Sequence, residues 1–110
     1  MDILFDKQKM AKACNNAQSR VIEYGPERGR RVGLRLDQMR AAQNLTVFIN
    51  VHPRCHRLTG NREGQWSADL DGPYRLIFEI AEDPLPIDLH GNVDLSEVRK
   101  VRIIQIADTH

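Results

Sequence analysis

A helical hairpin followed by a small sheet, and hence an α+β domain, is predicted by three features. Apolar residues recur at helical spacing from Met10 to Met39. They alternate at strand spacing from Gln65 to Ile80, on either side of a strong turn. A last apolar run ends the chain. At 110 residues one domain spanning 1–110 is expected, with a single modest core.

In chain order, Ile3-Leu4-Phe5 is a short edge-strand candidate, and Asp6 is placed to cap the helix that follows. Met10, Cys14, Ala17, Val21 and Tyr24 share one helical face. Gly25-Pro26 ends that helix and opens a second, whose buried side is Val32, Leu36 and Met39. Arg28, Arg31 and Arg35 fall on the outer side of the second helix, with Arg30 and Arg40 nearby. Such a stripe suits phosphate contacts, and it equally suits a solvated helix face. Leu45–Val51 alternates and is rich in β-branched residues, so by pattern alone it is a strand, broken by His52-Pro53.

The centre of the sheet is the segment Arg54 to Phe78. Trp66, Ala68 and Leu70 face one way, and Gln65, Ser67 and Asp69 the other. After the turn Asp71-Gly72-Pro73, Tyr74, Leu76, Phe78 and Ile80 take one face and Arg75, Ile77 and Glu79 the opposite one. Residues 83–97 are acidic and contain Asp83-Pro84-Leu85-Pro86, which cannot continue a central strand, so an ordered loop with a partner or functional role is expected. Val101–Ala107 is apolar on both sides, as an interior strand is. If that strand persists, Asp108 and His110 point the same way.

Net charge is +1, but unevenly spread: residues 1–50 hold nine Lys/Arg against five Asp/Glu, and residues 79–110 hold three against seven. The basic half can hold phosphates or acidic partners. No apolar run reaches bilayer-spanning length, and the N-terminus has no signal-peptide core, so a cytoplasmic protein without a membrane partner is expected. Cys14 and Cys55 show no disulfide framework and are read as reduced thiols. His52, Cys55 and His56 match no usual zinc spacing, so neither a metal nor another cofactor is expected.

Four groups stand out as candidate catalytic residues: His56, Arg75, Asp108 and His110. Two imidazoles, a carboxylate and a guanidinium can cleave RNA without a metal. One group takes the 2′-hydroxyl proton, another protonates the leaving 5′-oxygen, and a fixed cation steadies the phosphate. Histidine titrates near neutral pH, and the arginine fork matches phosphate oxygens. Each also has a plainer account: a surface histidine, an Arg75 ion pair with Asp69 or Glu79, and a frayed terminus.

The string HRLTGNREGQWS, then PYRLIF, then a final strand ending Asp-Thr-His, resembles toxins of bacterial type II toxin–antitoxin modules. The similarity is greatest to the HigB branch of the RelE/ParE superfamily, the plasmid-maintenance killer proteins, and it covers nearly the whole chain. The resemblance implies two N-terminal helices packed on a small, mostly antiparallel sheet. It implies a helical turn or loop, rather than a strand, at Leu45–Val51. It implies cleavage of messenger RNA on the ribosome, with neutralisation by a cognate helix-turn-helix antitoxin through which alone the pair meets operator DNA. His56, Arg75, Asp108 and His110 match the family's catalytic positions, whereas Thr109 stands where many active members have tyrosine. The remaining alternative is a non-catalytic module, either gyrase-directed as in the ParE branch or an inactive homologue that binds antitoxin.

Overall fold

The computed structural model describes residues 1–109, which form an α+β domain. Among the described residues, β1 (Asp2–Phe5), β2 (His56–Arg57), β3 (Gln65–Asp69), β4 (Tyr74–Ile80) and β5 (Lys100–Asp108) make one sheet in the order β1-β5-β4-β3-β2. β1 is parallel to β5, and the other pairings are antiparallel. The sheet is thus mostly antiparallel, and β5 is interior, as its apolar faces predict. Before and beside it lie α1 (Gln8–Cys14), α2 (Ala17–Tyr24), α3 (Pro26–Ala41) and α4 (Leu45–Val51). No helix among the described residues is long and apolar enough to cross a membrane.

The single helix expected from Met10 to Tyr24 is in fact two. Asparagine favours caps over helix interiors, and at Asn15-Asn16 the chain breaks. The Asn16 side chain accepts from the Ser19 N–H at 2.8 Å and caps α2. The expected apolar face is therefore interrupted after Cys14, which is buried: Ala17 and Val21 are exposed, and Tyr24 rejoins the core, partly buried. Asp6 does not cap α1, because Lys7 holds the cap position.

Gly25, at φ +86°, closes α2, and Pro26 opens α3 in the first-turn position where its missing N–H costs nothing. α2 then lies close along α3. A Cβ on Gly29 would sit 2.7 Å from the Arg20 carbonyl oxygen, a distance only glycine permits. The other side of α3 buries Val32, Leu36 and Met39 completely, as their spacing predicts.

Leu45–Val51 is a helix, not a strand. Asn44 caps it by accepting from the Val47 N–H at 3.0 Å. Leu45 and Phe48, three apart, are both fully buried, and core burial overrides the β propensity of the run. The edge of Phe48 meets the Phe78 ring, with centroids 6.3 Å apart. α1, α3 and α4 together cover the sheet face made by Trp66, Ala68, Leu76, Phe78, Val101 and Ile103.

The other face carries Ser67 opposite Ile77, both buried, although neither belongs to the helix-covered core. Residues 83–97 are an ordered loop, as expected. Ile87 bridges to Val93, and the Asp88 carboxylate accepts from the N–H groups of His90 and Asn92 at 2.8 and 3.0 Å.

Candidate functional site

Residues directly opposite one another in a sheet share a face. Pairing therefore lines up His56, Ser67, Ile77 and Gln105 across four strands on the face the helices leave uncovered. Beside that row run Asp69, Arg75 and Ala107, and on its other side Gln65, Glu79 and Arg102. His56 and Arg75 thus share a surface. They are two strands apart, roughly 10 Å, and two residues along, roughly 7 Å.

His56 is exposed, and its Nδ1 lies 2.9 Å from the Arg54 carbonyl oxygen. A carbonyl only accepts, so Nδ1 carries the proton and Nε2 is left as the basic atom. That is the tautomer a general base needs.

Arg75 is held by its neighbours. Its Nε pairs with Asp69 Oδ1 at 3.0 Å, and one terminal nitrogen donates to the carbonyls of Gly72 and Tyr74, each at 2.8 Å. Arg54 takes the other oxygen of Asp69. Burial alone would raise the Asp69 carboxyl, but the Arg54 hydrogen bond and the charges of Arg75 and Arg54 outweigh it and hold the group below its ordinary range.

Asp108 does not join them. It pairs with Tyr74, on the helix-covered side, while Arg75 pairs with Ala107. The cause is a bulge in β5. Phe78 faces Ile103 and Ile77 faces Gln105, so Ile104 is an extra residue and the alternation reverses beyond it. Ile103 and Ile106 consequently both turn to the core. His110 lies outside the described residues.

The three arginines of α3 are not a uniform outer stripe. Arg28 chelates Asp71, with bonds of 3.1 and 3.2 Å, and lies 3.4 Å over the Tyr74 ring. Arg35 donates to the Asp69 carbonyl at 2.7 Å and to Gln38 at 3.0 Å. Burial pushes its guanidinium down, and the Asp69 charge partly offsets this. These two clamp the helix to the hairpin. Arg31 alone of the three pairs outward, with Glu27 at 2.8 Å.

Three cations of the helix-free face, Arg54, Arg62 and Arg102, are absent from the sequence-based candidates. Arg62, in the 3-10 turn Gly60–Arg62, donates to Gln65 at 3.0 Å and to Gln105 at 3.2 Å. β4 lies between the strands carrying those glutamines, so the guanidinium spans the strand that holds Ile77. Both acceptors are neutral, and Arg62 forms no ion pair among the described residues. Its signal in the sequence was an arginine just before β3, but nothing local announced the reach to Gln105. Cys55 is no nucleophile: burial pushes its thiol up to about 12.

No protein-family model matches the chain, and no curated protein matches it.

Proposed function

We propose that the chain is the toxin of a type II toxin–antitoxin module, cutting messenger RNA on the ribosome without a metal. The observation that carries this reading is the helix-free sheet face, where the His56 imidazole lies with Arg54, Arg62, Arg75 and Arg102 around the buried pair Ser67 and Ile77. RNA laid over that face would meet Arg62 first as a cation held by neutral partners. Arg75 would contact phosphate if Asp69 yields it. His56 would take or return the proton of the ribose 2′-hydroxyl step. His110 remains the candidate for the complementary proton transfer, on the family resemblance alone. The bulge puts Asp108 opposite Tyr74, beside the hairpin turn, and not on the side of Arg75. Neutralisation by a helix-turn-helix antitoxin, with operator DNA met only through it, and a cytoplasmic site of action belong to the same proposal.

The engagement of Arg75 by Asp69 and the reversed phase of Asp108 favour a second reading, a module that binds antitoxin or RNA without cutting. Induction in a bacterial host, with primer extension on reporter messages, separates the two. Cleavage that disappears in the His56→Ala, His110→Ala double variant supports the nuclease. Identical cleavage patterns for that variant and the wild type rule out this mechanism. No cleavage by the wild type, with retained binding of the neighbouring gene product, supports the second reading.

A further inference from the structure

At the end of the sheet where β3 begins and β4 finishes, loops 58–64 and 81–95 enclose a cavity of about 530 Å³. Its walls are mainly apolar, among them Ile80, Leu85 and Val93, and it is bounded by Trp66 and Arg57. Cavities of this size are typical of small-ligand sites, which span about 300–1,000 Å³. We propose that it binds a nucleobase. This inference rests on the RNA reading above and extends it to a base-recognition pocket that the catalytic argument does not use.

The Arg57 guanidinium lies 5.2 Å from the Trp66 ring centroid. The same indole stacks on Phe78, with ring planes 20° apart and centroids separated by 6.4 Å. Phe78, Trp66 and Arg57 therefore form an ordered pile with a planar cation as its last member. Arg57 forms no ion pair among the described residues. A guanidinium plane backed by an aromatic ring is a surface on which an unstacked base settles, by dispersion and by attraction to its π electrons. The apolar walls would take the rest of the ring. Gln65 and the backbone of Gly60 and Gly64, also in the lining, offer polar groups to the base edges.

The pocket's place favours RNA over an unrelated small molecule. Gln65 lines the cavity and also accepts from Arg62, the cation that crosses the open face. A strand whose phosphates track over Arg62 reaches the cavity mouth within the span of a neighbouring nucleotide. Glu63, also in the lining, would repel a phosphate, so the sugar–phosphate chain stays outside and the base enters.

Trp66 is the only tryptophan of the chain and reports on the pocket directly. The test titrates the purified protein with each of the four nucleoside 5′-monophosphates while following indole emission. A labelled single-stranded oligoribonucleotide is titrated separately by anisotropy. The expected result is a saturable emission change with at least one nucleotide, weakened about tenfold or more in Arg57→Ala and again in Val93→Phe, which fills the cavity. Unchanged emission with all four nucleotides into the millimolar range, while the oligoribonucleotide still binds, overturns the pocket and leaves the RNA reading standing. Mononucleotide binding without oligoribonucleotide binding does the reverse. Equal affinities for wild type, Arg57→Ala and Val93→Phe also overturn it.

Discussion

The backbone N–H of Asp69 donates to Nε2 of His52 across 3.0 Å, tying the end of α4 to the middle strand of the β2–β3–β4 ribbon. The bond requires Nε2 to be unprotonated, so the folded protein holds a neutral imidazole. Burial, followed by the nearby Arg35, pushes the His52 pKa below its ordinary 6.5. The unfolded chain therefore binds the proton more readily, and stability rises with pH through this window. Urea unfolding should show full stability above about pH 6.5 and a loss on acidification below it. His52→Gln, whose amide oxygen can accept the same N–H, should flatten that part of the profile. An unaltered profile in the variant would place the dependence elsewhere.

Asp69 balances Arg54 and Arg75 on the open face. Asp69→Asn should destabilise the fold by about 1–3 kcal/mol, because it leaves the largely buried Arg75 guanidinium without its counter-charge. Its lowered pKa also assigns it a stabilising contribution present above the ordinary 3.8 and lost as pH falls through the folded value. Chemical denaturation at pH 7 and an acid titration read the two effects.

Gly29 and Gly33 both face α2 but should respond differently to alanine. At Gly29 the new methyl meets Arg20 backbone atoms at 2.7 and 2.8 Å, which cannot move without shifting the helix. At Gly33 it meets the Arg20 guanidinium, 2.9 Å away, which is the far end of a flexible side chain. Gly29→Ala should cost about 1–3 kcal/mol. Gly33→Ala should stay within about 1 kcal/mol of wild type, since alanine's helix propensity offsets the adjustment. Equal losses would mean that the two helices are spaced by something other than Gly29.

Arg62 and the two clamping arginines of α3 should separate in their salt dependence. Arg62→Ala should reduce the slope of log affinity for single-stranded RNA against log salt by about 0.7, the loss of one phosphate contact. Arg28→Ala and Arg35→Ala should lower stability and leave that slope unchanged. Anisotropy titrations at several salt concentrations distinguish them. A reduced slope in the α3 variants would restore the phosphate stripe.

The parts legible in the sequence were those whose period matches one element. Val32, Leu36 and Met39 announced the inner side of α3, and the alternation around Trp66 and Leu76 announced the hairpin. What could not be read depends on contacts distant in sequence. Leu45–Val51 carries a strand-like pattern, yet two buried residues and an asparagine cap make it helical. Arg28 and Arg35 look like exposed charges until the hairpin that they grip is in place. Of the candidate site, the alternation around the turn gave Arg75 the side of Ile77 and Glu79, whereas the side taken by Asp108 could not be read, because a bulge leaves no mark in a run of isoleucines.

That extra residue in β5 acts as a parity switch for the end of the chain. Each side chain from Gln105 to Asp108 is assigned to its surface by a count of one, so drawing Ile104 into regular pairing with β4 would exchange the two sets. Asp108 would move to the side of Arg75, and the Gln105 amide that anchors Arg62 would be driven toward the core. The present arrangement therefore trades a carboxylate beside Arg75 for a firmly seated cation over the sheet.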